Sequence, residues 1–425
     1  MKVNLGVDIH HLTRVEGHGN ILVRVRDGKL EEARWDVVET PRFFEVMLQG
    51  KHYTSAGILT ARICGICSIG HCLASVRATE DAFAVRVPEA AARLRLLAKH
   101  GETLQSHVLH LFFLAAPDFV GLPSAIPLIE KMPAVVGIAA RLKGLANRLC
   151  DLVAGRTTHP VSIQVGGMAK FPDRKALAAM RDELSGCEAD LAASADLFAG
   201  FAIPDFHRET EFVSLKGEGS YPWIGGTLIS SDGVVKPERE YRAMTNEFVD
   251  ERNTSKWCKL SRESLAAGAL ARFNNNHGFL HPAARAAAER LGLRPMCHNP
   301  FMNNVAQLVE CVHVVRESIE LCEVLLAEPT GTPVMAEVKP RAGRGVGAVE
   351  VPRGILYHEY EYDGAGRVVR ANCIIPTTQN NLNIHLDIKA LVEKFAGPDM
   401  TDDQLGRLCS MLVRSYDPCI SCSVH

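Results

Sequence analysis

No apolar run in the sequence is long enough to cross a bilayer. The longest, Val108 to Ala116, is broken by His110 and falls far short of the roughly 20 residues a spanning helix needs. The first residues, MKVNLGVDIHHLTRVEGH, lack the basic start, apolar core and small-residue cleavage site of a secretory signal, so a cytoplasmic location is expected. Neither sign of charge is in excess: 47 basic against 49 acidic side chains leave a net charge of −2, with nothing to attract nucleic acid or an anionic membrane. Internal repeats, low-complexity tracts and long polar linkers are missing too, so residues 1–425 are expected to form one unit with sub-lobes. A dinucleotide fingerprint is also absent. Gly343-Arg344-Gly345-Val346-Gly347 has the wrong pattern and follows no convincing strand.

What is present reads as an ordinary globular chain of 425 residues, 47% hydrophobic and 23% charged, large enough to bury a substantial core. Residues 20–38 alternate apolar and polar on both sides of Asp27-Gly28, which predicts a β-hairpin. A second hairpin is predicted between Gly347 and Ile375, turning at Asp363-Gly364. Apolar residues recur at helical spacing over 89–116, 127–155, 173–200 and 301–328, each about 40 Å long as a helix. The turn-rich patch from Glu211 to Pro237 predicts a third β-rich region. The expected class is therefore α+β and predominantly helical. A central bundle of long helices would carry small peripheral sheets from both termini and a mid-chain β-rich lobe. The corresponding sub-lobes are 1–60 (β), 61–200 (helical core), 201–260 (peripheral β lobe), 261–345 (helical core) and 346–425 (β/α).

Thirteen cysteines is an odd number, and several stand singly in helical segments (Cys150, Cys187, Cys311, Cys322), which predicts reduced, buried thiols and no disulfide framework. Two pairs stand apart. Cys64-Gly65-Ile66-Cys67 is followed by His71, and Cys419-Ile420-Ser421-Cys422 by His425. One C-x-x-C is a weak signal, but two, each followed by histidine, make a four-thiolate metal site the leading reading. The pairs sit near opposite ends of the chain, far beyond the ~12–20 residues between halves of a zinc module. A structural zinc stapling the termini stays open on spacing alone, and thiolates equally suit nickel and iron.

The two motifs, RICGICSIGH and DPCISCSVH, resemble the paired signatures of nickel-iron hydrogenase large subunits. The resemblance extends to LTRVEGHG, PRFFE, VPRG at 351–354 and IIPTTQNN at 374–381, and so covers essentially the whole chain in order. Length and spacing are similar to the cytoplasmic, multi-subunit branch. The resemblance implies Cys64 and Cys419 as terminal nickel ligands, Cys67 and Cys422 as bridges to iron, and one carbon monoxide and two cyanides on the iron. Splitting hydrogen heterolytically needs a Lewis acid for the hydride and a base for the proton. The proton would pass to a terminal thiolate or to Arg353, with Asp417 or Asp118 as partner of that arginine. Pro352, Arg353 and Thr377 would line the diatomic ligands, Thr377 donating to a cyanide. Glu16 would relay protons from the terminal cysteine, and His71 would hydrogen-bond the Cys67 sulfur. Glu45, His425 and the backbone carbonyl of Cys373 would hold a magnesium or iron ion. Ending at His425 would match a polypeptide trimmed by a maturation protease.

Oxidising hydrogen releases two electrons, and the remaining cysteines include no closely spaced run of the ferredoxin kind. The resemblance accordingly implies an iron-sulfur small subunit. Beyond it would lie a flavin or nicotinamide, heterodisulfide-reductase or deazaflavin (F420) module. Two other readings belong beside the enzyme: a hydrogen sensor with the same ligands, and a quinone-site relative of the respiratory complex I kind. The second lacks the cysteine pairs that are complete here.

Overall fold

Asp27 and Gly28 both take positive φ, 50° and 77°, and close the turn between strands Gly19–Arg26 and Lys29–Val37 as expected of an Asp-Gly hairpin. This computed structural model describes residues 3–425. Strand Leu5–Ile9 pairs antiparallel with Gly19–Arg26. The sheet buries Ile21, Val23 and Trp35 on its inner face and leaves the intervening arginines outside.

A second antiparallel sheet is built from Gly343–Val351, Gly354–Tyr362 and Val368–Ile374. Its expected hairpin at Asp363 is present, with the carboxylate accepting the N–H groups of Ala365 (2.9 Å) and Arg367 (2.8 Å). The sheet holds another hairpin, whose local turn-favouring residues are Pro352 and Gly354. Val351 pairs with Gly354 across the two-residue turn Pro352-Arg353, which places Arg353 at the tip.

The run Gly343-x-Gly345-x-Gly347 lies on that sheet, and its glycines have a steric purpose. Helix Ser68–Phe83 lies along the strand so closely that a Cβ on Gly345 would strike the backbone of Ala78 and Ala82, and one on Gly347 the backbone of Ala74 and Ala78. At the helix's other end a Cβ on Gly70 would strike Val351. Gly70, Ala74, Ala78 and Ala82 recur every four residues, so one helical stripe of small residues meets one face of the strand. That contact carries the start of the helix, at Cys67, toward the Pro352-Arg353 turn. Gly345→Val is expected to lower the unfolding free energy by about 3 kcal/mol, the upper end for overpacking. A denaturant titration with an unchanged midpoint would refute this account of the stripe.

The fold is α+β in class, as predicted, but the helical segments divide differently. Helix Glu89–Leu109 continues through a π-helical turn, His110–Ala115, into Ala116–Phe119. The predicted 127–155 segment breaks before Pro133 into Ile126–Lys131 and Pro133–Ala154, because proline cannot donate inside a helix. The 173–200 segment divides at Cys187 into Arg174–Gly186 and Glu188–Ala199, and Asn303–Ala327 is continuous. Glu89–Leu109 runs through the middle, packed between Pro133–Ala154 and Asn303–Ala327. It buries Arg95, Lys99, His100, Glu102 and His107 by pairing them, Arg95 to Glu80 with both carboxylate oxygens (2.9 and 2.6 Å). The mid-chain β region pairs Glu211–Leu215 with Thr227–Ser230 and, in parallel, with Leu265–Ala266. Strand Glu211–Leu215 is buried throughout, and Val213 and Leu215 share a core with Val346, Ile355 and Tyr357 of the second sheet.

Candidate metal centre

Cys64 ends the short turn Ala61–Ile63, and Cys67 is the residue from which helix Ser68–Phe83 starts. Cys419 likewise opens the turn Ile420–Ser423, which carries Cys422. The two turns meet. Cys64 Sγ lies 3.7 Å from Cys419 Sγ, and the sulfurs of Cys64, Cys67 and Cys422 lie within 4.8 Å of one another, all buried. Arg42 ties the turns together, donating to the carbonyls of Ile63 (2.8 Å) and Ser421 (2.7 Å). A short β-bridge joins Glu16 to Cys419, with the Ile420 N–H donating to the Glu16 carbonyl at 2.8 Å. Arg42 was not among the residues singled out from sequence. It stands in PRFFE, but a clamp between two carbonyls leaves no one-dimensional signal.

Cys64 and Cys67 are free thiols, and the sulfurs of Cys419 and Cys422 lie side by side in the same buried space. Separated by two residues at the start of a helical turn, the Cα atoms of Cys419 and Cys422 stand 5.4 Å apart. A hydrogen bond from the Cys67 thiol outweighs burial and, with the positive charge of Arg353 and the N–H groups of Cys67 (3.2 Å) and Ile66 (3.3 Å), makes Cys64 the more acidic thiol; Cys67 is correspondingly pushed up.

Arg353 is buried and donates through Nε to the Asp417 carbonyl (2.6 Å) and through Nη2 to its carboxylate (2.9 Å). Burial opposes its charge, but Asp417 and the cysteine sulfurs hold it above the ordinary arginine range, so it stays a guanidinium. Asp417 itself takes φ 50° and accepts from Gln307 Nε2 at 3.2 Å. Gln307 is fixed in turn by His110, at 2.5 Å, on the π-helical turn. Asp118, read as the other partner of Arg353, is engaged elsewhere. It receives Arg14 and Arg414, and these also bind the carbonyls of Leu114 (2.6 Å) and Thr13 (2.9 Å). That ion cluster anchors the loop leading into Glu16, and the carboxylate that Arg353 engages is that of Asp417.

Glu16 Oε2 lies 3.2 Å from Cys419 Sγ, and the carboxylate is held by the N–H (3.1 Å) and hydroxyl of Ser421. Thr377 Oγ accepts the Cys419 N–H at 3.0 Å, fixing the cysteine backbone. The Pro352 carbonyl accepts from Arg272 at 3.1 Å. His71 stands one helical turn beyond Cys67, its Nδ1 3.2 Å from His358 Nε2. Burial holds His71 well below the usual histidine range, so the ring is neutral. Glu45, Cys373 and His425 also converge: Glu45 accepts the Cys373 N–H at 2.6 Å, His425 Nε2 lies 2.9 Å from the Cys373 carbonyl, and 3.6 Å separates it from Glu45.

The donor set fits a thiolate-bound metal pair. Four soft sulfurs converge in a buried space. Two buried nitrogens on residues next to or facing the cysteine motifs, Arg353 Nη1 beside Asp417 and His71 Nε2 one helical turn from Cys67, have no hydrogen-bond partner among the described residues. Leaving such donors unpaired is costly, and a bound group carrying acceptor ends would satisfy them.

Comparison with known proteins agrees with this geometry. Residues 42–134 and 266–425 match the family profile described as nickel-dependent hydrogenase, and residues 6–40 match one described as HoxL-like. The chain is 33% identical to the alpha chain of sulfhydrogenase 1 from Pyrococcus furiosus, covering 99% of this chain and 98% of that one. It is 31% identical to a chain of the vhc F420-non-reducing hydrogenase from Methanococcus voltae, over 99% and 94% of the two chains. A crystal structure of an NAD+-reducing NiFe hydrogenase in the H2-reduced state superposes with a TM-score of 0.88 at 27% identity, covering 99% of each chain.

Proposed function

The chain is a hydrogenase, belonging to the nickel-dependent hydrogenase large-subunit family, and from that premise we propose that it cleaves and forms H2 reversibly at a nickel-iron pair held by Cys64, Cys67, Cys419 and Cys422. The observation that carries this reading is the meeting of two cysteine pairs from opposite ends of the chain around one buried space. Cys64, Cys419, Cys67 and Cys422 would together hold the nickel and the iron, the iron carrying one carbon monoxide and two cyanides. When bound, the pair supplies the Lewis-acid and redox chemistry that polarises H2.

The protein residues have separate tasks. Cys419 Sγ takes the proton and passes it to Glu16 Oε2, already within 3.2 Å. Arg353, kept positive by Asp417, serves as a fixed charge and hydrogen-bond donor over the sulfurs, so the thiolate is the base. Neutral His71 has Nε2 free to donate to the Cys67 sulfur. Thr377, holding the Cys419 backbone, and Pro352 would line the space for the diatomic ligands, with the Thr377 hydroxyl available to donate to a cyanide. Glu45, His425 and the Cys373 carbonyl, which lies 2.9 Å from His425 Nε2, would hold the magnesium or iron ion. Electrons leave to an iron-sulfur small subunit, then to a flavin, nicotinamide, heterodisulfide-reductase or deazaflavin module. No helix among the described residues is long and apolar enough to cross a membrane, and the proposed enzyme works in the cytoplasm.

Elemental analysis and infrared spectroscopy of the purified complex test the proposal together. One nickel and one catalytic iron per chain with iron-bound carbon monoxide and cyanide bands is the expected result, with a further magnesium or iron. Zinc alone, without such bands, would overturn it.

A further inference from the structure

Arg272, on helix Ala269–Asn276, is wholly buried, and all five of its N–H donors are used. Nε and Nη2 donate to the two oxygens of Glu310 at 2.6 and 2.7 Å, and Nη1 donates to Glu350 at 3.0 Å. The other two donors reach the backbone carbonyls of Val351 (2.9 Å) and Pro352 (3.1 Å). These are the two residues directly before Arg353. The carboxylates are themselves fixed: Glu310 by His107 (2.8 Å) and the Tyr221 hydroxyl (2.9 Å), Glu350 by the Leu215 N–H (2.7 Å). The Arg272 guanidinium also lies 5.4 Å from the centre of the Trp223 ring.

We propose that Arg272 is a positioning residue for the reaction, gripping the hairpin tip by its carbonyls and so setting where the Arg353 guanidinium stands over the cysteine sulfurs. Arg353 is fixed from one side by Asp417 and from the other by this grip, while Nη1 stays unpaired. A two-residue turn whose preceding carbonyls are both held by one rigid planar group has little freedom to tilt, and a few tenths of an ångström at the turn is magnified at the end of an arginine side chain. Arg272 acts through Arg353 and touches neither the sulfurs nor the reacting atoms.

This inference rests on the hydrogenase reading above, and the test keeps the two apart. Arg272→Lys retains the charge but offers three donors from a single atom, too few for two carboxylates and two carbonyls. In the holoenzyme complex the variant is expected to keep nickel and iron at wild-type content, with carbon monoxide and cyanide bands displaced or broadened. Exchange of D2 with water protons should fall on the order of 10–100-fold, the scale of an outer-shell change. The deciding measurement is a double-mutant cycle with Arg353→Lys. In that background Arg272→Lys should cost no more than about twofold, because its effect passes through a group already removed. Losses that multiply, or bands and exchange unaltered by Arg272→Lys alone, overturn the proposal. Should Arg272→Lys fail to load metal, Glu350→Gln, of equal size, takes its place in the same cycle with the same two outcomes. Wild-type protein without nickel and without the bands would instead defeat the hydrogenase reading.

Discussion

Cys67→Ala leaves nickel and iron together below about a tenth of their wild-type content and takes H2-dependent dye reduction to background, an activity loss beyond the ~10–100-fold of outer-shell changes. The reason is geometric. Cys67 begins helix Ser68–Phe83, and its sulfur shares one buried space with those of Cys64 and Cys422. A methyl group there offers no donor, and neither water nor a nearby oxygen replaces a soft thiolate. Cys150→Ala is the control. Its thiol is buried in the helical core, with burial pushing its pKa up, and it packs near Gly101 as an apolar group. That variant should keep its metals and lose only about 1–2 kcal/mol of stability. Full nickel in the Cys67 variant, measured by elemental analysis, would remove the four-sulfur assignment.

Glu16→Gln gives the second large effect, in the opposite pattern. The amide keeps the shape of the carboxylate between Cys419 and Ser421 but carries no exchangeable acid proton. Infrared bands should stay in place while H2 formation from D2 and water protons, followed by mass spectrometry, slows by about 10²–10⁴-fold, the usual weight of a positioned acid-base group. Glu16→Asp, one methylene shorter, should fall between. Exchange at the wild-type rate in Glu16→Gln would exclude this carboxylate from the proton route.

The cysteines were legible because metal-binding thiols come as short repeated motifs, and the hairpin at Asp27-Gly28 because its turn chemistry is local. Glu16, Arg353 and His71 became readable only through the resemblance. Each is an unremarkable residue until the fold sets Glu16 beside Cys419, Arg353 beside Asp417 and His71 beside His358. Asp118 shows the limit of that route, since its carboxylate is claimed by Arg14 and Arg414. Helix Ser68–Phe83 escaped periodicity because the face it buries on the second sheet is made of Gly70, Ala74, Ala78 and Ala82, which carry little hydrophobic signal. Helix Pro376–Phe395 escaped for a related reason. Its buried face includes amides used as connectors: Gln379 donates to the Ile355 carbonyl (2.6 Å), Asn380 accepts the Ala267 N–H (2.7 Å), and Asn383 donates to Tyr416 (2.7 Å). Polar residues inside a core invert the pattern that sequence reading relies on. Arg272 and Arg42 belong to the same class, because their value lies in the carbonyls they reach.

The glycine strand and the alanine helix have nearly commensurate repeats: four helical residues advance ~6 Å and two strand residues ~6.8 Å. They therefore mesh like a rack and its teeth, with Gly70 against Val351 at one end and Ala82 against Gly343 and Gly345 at the other. The span from thiol to arginine is thus quantised. Inserting or deleting two residues in the strand would shift the engagement by a whole tooth, more than any side-chain adjustment could recover, whereas loops outside the rack can lengthen without altering it.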